Sequence, residues 1–151
     1  MVRAGKIDGR ARYWTYKGDK DQSPRTGKTI IFGVDYLGQC GSGFRRKVTR
    51  KIELKETQKL DDLHEAIIYE SFKWDDPHLY SFFMDNKAYS KNREAEYSRE
   101  PNNEFTRERT NSSRTALKDL NLKMRQKFLF VFDFGDDHHF GISVKGFGEV
   151  Q

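Results

Sequence analysis

Two short stretches hold residue types that can do chemistry together. One is Asp75-Asp76-Pro77-His78, and the other runs from Asp133 through Asp136 and Asp137 to His138 and His139. Carboxylates and imidazoles are ligands for divalent cations such as Mg, Mn or Zn. Brought into one cleft, Asp75, Asp76, Asp133, Asp136, Asp137 and His139 form a candidate catalytic set. Asp76, His78, Asp133 and His139 are the candidate ligands of a divalent metal cofactor. The matching chemistry is phosphodiester hydrolysis, in which the metals activate water and stabilise the leaving oxygen. Adjacent His138 and His139 point to opposite faces of a strand, so at most one of them joins Asp133. The same residues also have a purely structural use. Gly135-Asp136-Asp137 and Asp75-Asp76-Pro77 are turn sequences, and carboxylates in such turns accept backbone N–H bonds that hold loop shape.

The element that must position the second stretch is a β-hairpin. Phe128, Phe130, Phe132 and Phe134 recur at every second residue, the period of a half-buried strand. Leu129 and Val131 fill the other parity, so that face is not fully wet either. A second alternation follows, with Phe140, Ile142 and Val144 apolar. The register that keeps both apolar sets together pairs Phe132 with Phe140, Phe130 with Ile142 and Phe128 with Val144. It leaves Gly135, Asp136 and Asp137 as a three-residue loop and sets Asp133 opposite His139 and Phe134 opposite His138. Aromatic cross-strand pairs of this kind contribute about 0.2–1 kcal/mol each.

The 151 residues make one domain, with residues 1–28 as a basic N-terminal segment carrying one extra strand at Ala11–Tyr16. Residues 29–151 form the body, with a polar excursion at 90–110. Only 35% of residues are hydrophobic, but 12 Phe and 7 Tyr supply large buried areas. One cysteine, Cys40, excludes an intramolecular disulfide and a Cys-based zinc site. No apolar run approaches a membrane span, and no signal peptide opens the chain, so the expected location is cytoplasmic with no membrane partner. Residues 1–50 hold 12 Lys or Arg against 4 Asp or Glu, while the rest of the chain is slightly acidic. A basic N-terminal third on an acidic body suits a nucleic-acid arm, with Arg10, Arg12, Lys17, Arg45, Arg46 and Lys47 as candidate phosphate contacts. Trp14, Tyr16, Tyr89 and Tyr97, interleaved with Lys and Arg, can stack bases while the cations hold phosphates. Gly27-Lys28-Thr29 matches the end of a phosphate-binding loop, but position 22, where its first glycine belongs, is Gln22.

The remaining elements alternate between strand and helix signals. Thr29–Leu37 and Phe44–Leu54 read as strands joined by the glycine-rich turn Gly38–Gly43. Thr57 is the expected cap of the clearest helix, with Asp61 and Asp62 near its first turn and Leu60, Leu63, Ile67, Ile68 and Phe72 on one face. His64 borders that face, where a core-edge histidine with one hydrogen bond is expected. Lys73–His78 reads as a loop, Leu79–Met84 as a strand, and Ala88-Tyr89 as a short return strand. A short helix over Thr115–Leu122, capped by Ser112 or Ser113, precedes the Phe-rich hairpin. The fold class is α+β: an antiparallel or mixed sheet of hairpins on one main helix, with a hairpin-then-helix start like that of a β-grasp fold.

The order of motifs resembles a known family. A hairpin runs into Leu60–Ile67 (LDDLHEAI), a WDD segment with a following His-Leu spans Trp74–Leu79, and an aromatic strand ends in DFGDD at Asp133–Asp137. Together these resemble the plasmid pRiA4b ORF-3-like family, whose members are also labelled TnpR-type passengers of an insertion element. The resemblance spans residues 29–147. This chain departs from it at His138, where such proteins often have Trp, and at Phe140, where many have His. The resemblance implies an α+β fold and an association with mobile DNA, but no defined activity. No serine-recombinase segment and no helix-turn-helix is recognisable in these residues. The sequence therefore reads as a small binding or accessory protein. A metal-dependent nucleic-acid enzyme is one alternative. A protein-interaction module, with Ser90–Thr110 ordering on a partner, is the other.

Overall fold

Alternating Phe, Val and Ile residues build the sheet. In a computed structural model, which describes residues 13–15, 27–43, 48–75, 77–99 and 110–150, the strands are β1 (Tyr13–Thr15), β2 (Gly27–Gln39), β3 (Thr49–Lys55), β4 (Tyr80–Phe83), β5 (Glu96–Ser98), β6 (Asn111–Ser112), β7 (Lys127–Phe132) and β8 (His138–Val150). They form one mixed sheet in the order β1-β3-β2-β8-β7-β4-β5-β6. β1–β3 and β5–β6 are parallel pairs, and the other neighbours are antiparallel. The fold is α+β in a single domain, and it starts with the expected hairpin, β2–β3, followed by the helix.

The helix α1 (Leu60–Glu65) continues directly as a π-helical segment, Ala66–Ser71. It buries Leu60, Leu63, Ile67 and Ile68 against one sheet face. That face presents Phe32 and Val34 from β2, Ile52 and Leu54 from β3, Phe128 and Phe130 from β7, and Phe140 and Ile142 from β8, all buried. Full burial of side chains this size is worth about 1.5–3 kcal/mol each. The rings also pack specifically, Phe82 stacking on Phe130 at 4.5 Å. Phe83, Leu129 and Val131 are buried on the opposite face, beside Leu37, so the second parity of β7 is dry as expected.

Four sequence expectations are corrected. The β7–β8 register pairs Phe132 with His138, Phe130 with Phe140 and Phe128 with Ile142, two residues away from the expected pairing. A slip of two keeps every side chain on its face, so apolar alternation cannot distinguish the two registers. The turn decides. Asp133 takes a left-handed φ of 62° and Asp137 one of 56°, which lengthens the loop to Asp133–Asp137. Second, the helix is capped two residues later than expected: the Lys59 N–H donates to Asp62 Oδ2 at 2.8 Å, and the Thr57 hydroxyl has no partner among the described residues. Third, Ala88-Tyr89 is a turn rather than a strand, because Asn86 and Tyr89 both sit at positive φ. The strand partner of β4 is β5 instead, which orders part of the polar excursion. Fourth, Leu117–Leu120 is a 3-10 turn without a side-chain cap, and Ser112 accepts from the Arg114 N–H instead.

Candidate functional site

The π-helical segment ends in a way that sets the site. The Phe72 N–H reaches back five residues to the Ile67 carbonyl at 2.9 Å, and the Trp74 N–H reaches the Ile68 carbonyl at 2.9 Å. Between them Lys73 takes a φ of 63°. This wide turn carries the Trp74 indole onto the sheet end, where it meets Tyr36, Phe132, His138 and Phe140. Left-handed residues without glycine are uncommon, and they concentrate at binding and active sites. Lys73 and Asp133 both border the same cleft.

The two acidic loops converge there. A cleft of about 320 Å³ is lined by Lys73, Trp74, Asp75, His78, Phe132, Asp133, Asp136 and His138. A backbone bond joins its two walls: the Asp133 N–H donates to the Leu79 carbonyl at 2.9 Å. Asp133 Oδ1 accepts from the N–H groups of Gly135 and Asp136 at 3.1 and 3.3 Å, closing the turn. Its Oδ2 lies 3.4 Å from His78 Nε2. Asp75 and Asp136 are exposed, and their carboxylates have no hydrogen-bond partner among the described residues. His138 Nδ1 lies 2.7 Å from the Tyr36 hydroxyl, and the His138 ring lies 4.7 Å from Trp74. Burial raises the Tyr36 hydroxyl pKa, which keeps it protonated.

Asp137 and His139 lie on the other side of the hairpin. His139 is buried, and its Nε2 lies 2.8 Å from Asp137 Oδ1. The Tyr89 hydroxyl donates to the same oxygen, and the Cys40 N–H donates to the Asp137 carbonyl at 2.8 Å. Desolvation opposes ionisation of Asp137, but bonds from Tyr89, His139 and Cys40 hold its carboxyl below the usual range. The bond to Asp137 raises the Cys40 thiol.

The expected meeting of Asp133 with His139 does not form, because Asp133 is a left-handed turn residue and the alternation stops at Phe132. His138 lines the cleft instead. Asp76, Arg10, Arg12, Lys17, Arg45, Arg46 and Lys47 lie outside the described residues. So does Tyr16, and Trp14 is described only as part of the β1 backbone. Tyr89 is half exposed, and Tyr97 packs against the core. Among the described residues, no group of three or more His, Cys, Asp or Glu is placed to hold a metal ion. Tyr36 and Trp74 were missed as site residues. The signal for Trp74 was its place at the head of the WDD segment, whereas Tyr36 reads only as one more strand aromatic.

His64 is not the expected hydrogen-bonded histidine. It is buried, neither ring nitrogen has a hydrogen-bond partner among the described residues, and Nδ1 is 3.7 Å from Asp61 Oδ1. Its ring stacks on Tyr80 at 3.9 Å, and the Tyr80 hydroxyl donates to Asp61 at 2.7 Å. Burial pushes the His64 imidazole pKa down.

The molecule is thus a small α+β domain with a polar cleft at one end of its central hairpin. Its sequence places it: the chain belongs to the plasmid pRiA4b ORF-3-like protein family, whose model matches residues 42–150. The match begins in the turn after β2. Comparison with curated proteins gives no match. Among solved structures, the fold is similar to the crystal structure of a protein of unknown function from Methanosarcina mazei Go1. The TM-score is 0.62 at 20% identity, covering 85% of this chain and 66% of that one. No helix among the described residues is long and apolar enough to cross a membrane.

Proposed function

We propose that this is a binding protein whose working site is the cleft between the 73–78 segment and the β7–β8 turn, and that the cleft takes an ammonium or guanidinium group. One observation carries the reading: Asp75 and Asp136 converge on a cleft walled by the Trp74 indole. Carboxylates beside an aromatic wall attract organic cations, with about 0.5–2 kcal/mol from the cation–π contact alone. Among the described residues, Lys73 is the single Lys or Arg lining the cleft, against three Asp. A phosphodiester entering the same space meets like charge. Titration calorimetry of the full chain with an alkylamine, a guanidinium compound and a neutral alcohol of matched size tests this. The two cations are expected to bind, more weakly as salt rises, and the alcohol is not. Equal binding of the alcohol would sink the reading.

A second reading, contact with nucleic acid, is favoured by the 12 Lys or Arg against 4 Asp or Glu in residues 1–50. The association with mobile DNA belongs to this reading and comes by resemblance. Fluorescence anisotropy with a duplex and a single strand at several salt concentrations tests it. Affinity that falls steeply with salt supports phosphate contacts, and no binding at low salt removes the reading.

A further inference from the structure

We propose that Tyr36 is the positioning residue of the cleft. Its hydroxyl holds His138 in the neutral tautomer with the proton on Nε2, so the cleft's ligand is a cation that also carries a hydrogen-bond acceptor. This rests on the cation-binding reading given above for the same cleft.

The Tyr36 oxygen is 2.7 Å from His138 Nδ1. The bare imidazole nitrogen is a stronger acceptor than a phenol oxygen, and the phenol O–H is the stronger donor. The bond therefore runs from the Tyr36 O–H to Nδ1. A neutral imidazole has one N–H, so Nε2 carries it. The pair is held in place by packing: the Tyr36 ring lies 5.1 Å from Phe140 and 5.7 Å from Trp74, and Trp74 meets His138 edge-on. A register shift between Tyr36 and Gly38 contributes as well. It sets Tyr36 opposite Phe140 and Gln39 opposite His138, so Tyr36 reaches His138 diagonally rather than as its strand partner. Bulges commonly re-aim side chains in this way. With Nδ1 engaged by Tyr36, Nε2–H is the donor His138 has left for a ligand in the space it lines. The cleft therefore presents carboxylates for a cation and an imidazole N–H for an acceptor, the complement of an amino alcohol rather than of a plain alkylamine.

The tautomer is read from long-range 1H–15N correlation spectra of the labelled full chain at pH 7.5, without ligand. The expected pattern for His138 is a bare Nδ1 and a protonated Nε2, moving toward a mixture in Tyr36→Phe. A protonated Nδ1 in the natural chain overturns the proposal. Calorimetry with ethanolamine and ethylamine tests the ligand class. One added hydrogen bond is expected to make ethanolamine about threefold to tenfold tighter. Tyr36→Phe is expected to shrink that difference, and a near-ultraviolet circular dichroism spectrum matching that of the natural chain shows that the variant is folded; an undiminished difference overturns the positioning role of Tyr36. Equal affinities for the two amines overturn the ligand class alone. No binding of either overturns the cation reading and this ligand assignment with it.

Discussion

The two sides of the β7–β8 turn carry the same residue types and use them differently. On the far side, Asp137 takes bonds from Tyr89, His139 and Cys40. On the near side, the carboxylates of Asp136 and Asp75 have no hydrogen-bond partner among the described residues, and the His138 ring meets Tyr36 and Trp74. A carboxylate saturated by its own chain is architecture. A carboxylate left open beside an indole is available to a ligand. Residue type alone does not separate the two, but hydrogen-bond saturation does.

The comparison predicts unequal costs. Asp137→Ala strips the partner from buried His139 and from Tyr89, and is expected to destabilise the fold by about 2–3 kcal/mol in urea unfolding. Asp136→Ala is expected to stay within about 0.5 kcal/mol. Equal costs for these two variants would erase the distinction between the sides. Asp133 belongs to both roles, since one oxygen closes the turn and the other faces His78. Asp133→Ala is expected to cost about 1–2 kcal/mol, and Asp133→Asn clearly less, because Asn tolerates the left-handed region and keeps an acceptor oxygen.

A pH scan sharpens the comparison with a third acid–histidine pair, His64 and Asp61. His64 titrates below its unfolded value of 6.5, so the unfolded chain takes up its proton first. That stability is present above pH 6.5 and falls as pH drops toward the lowered folded value. The His64 imidazole, together with the Tyr80 hydroxyl, lowers Asp61 below 3.8, so a second loss begins as pH falls through the ordinary carboxylate value and continues toward the lower folded one. Denaturant melts between pH 8 and 3 are expected to show the first decline in the natural chain and to lack it in His64→Gln. The smallest effect is chemical. Cys40 is exposed, yet its raised thiol pKa is expected to slow its reaction with a disulfide reagent at pH 8, and Asp137→Asn is expected to speed it.

Much of the fold was legible in side-chain period. The alternation of Phe128, Phe130 and Phe132, and the helical face of Leu60, Leu63 and Ile67, reflect burial that periodicity reports directly. Turns were less legible. Nothing in Asp133 or Lys73 announces a positive φ, since both residues usually take φ below zero, and each changed where its neighbours point. The convergence of Asp75 and His78 with Asp133 and Asp136 was expected only conditionally, because it depends on β4 pairing with β7 across a long stretch of chain. The choice between His138 and His139 turned on the conformation of Asp133 alone.

The π-helical segment Ala66–Ser71 has a consequence for chain length. Each residue of an ordinary helix turns the chain by about 100°, so removing one residue from this segment would restore regular winding and swing Phe72 and Trp74 away from Tyr36 and His138. The buried side chains of α1, which lie before the segment, would keep their places. The indole wall of the cleft is therefore encoded by a residue count as much as by residue identity. A single-codon deletion after Ile68, which leaves the buried Leu60, Leu63, Ile67 and Ile68 upstream of the change, would empty the site of its aromatic wall.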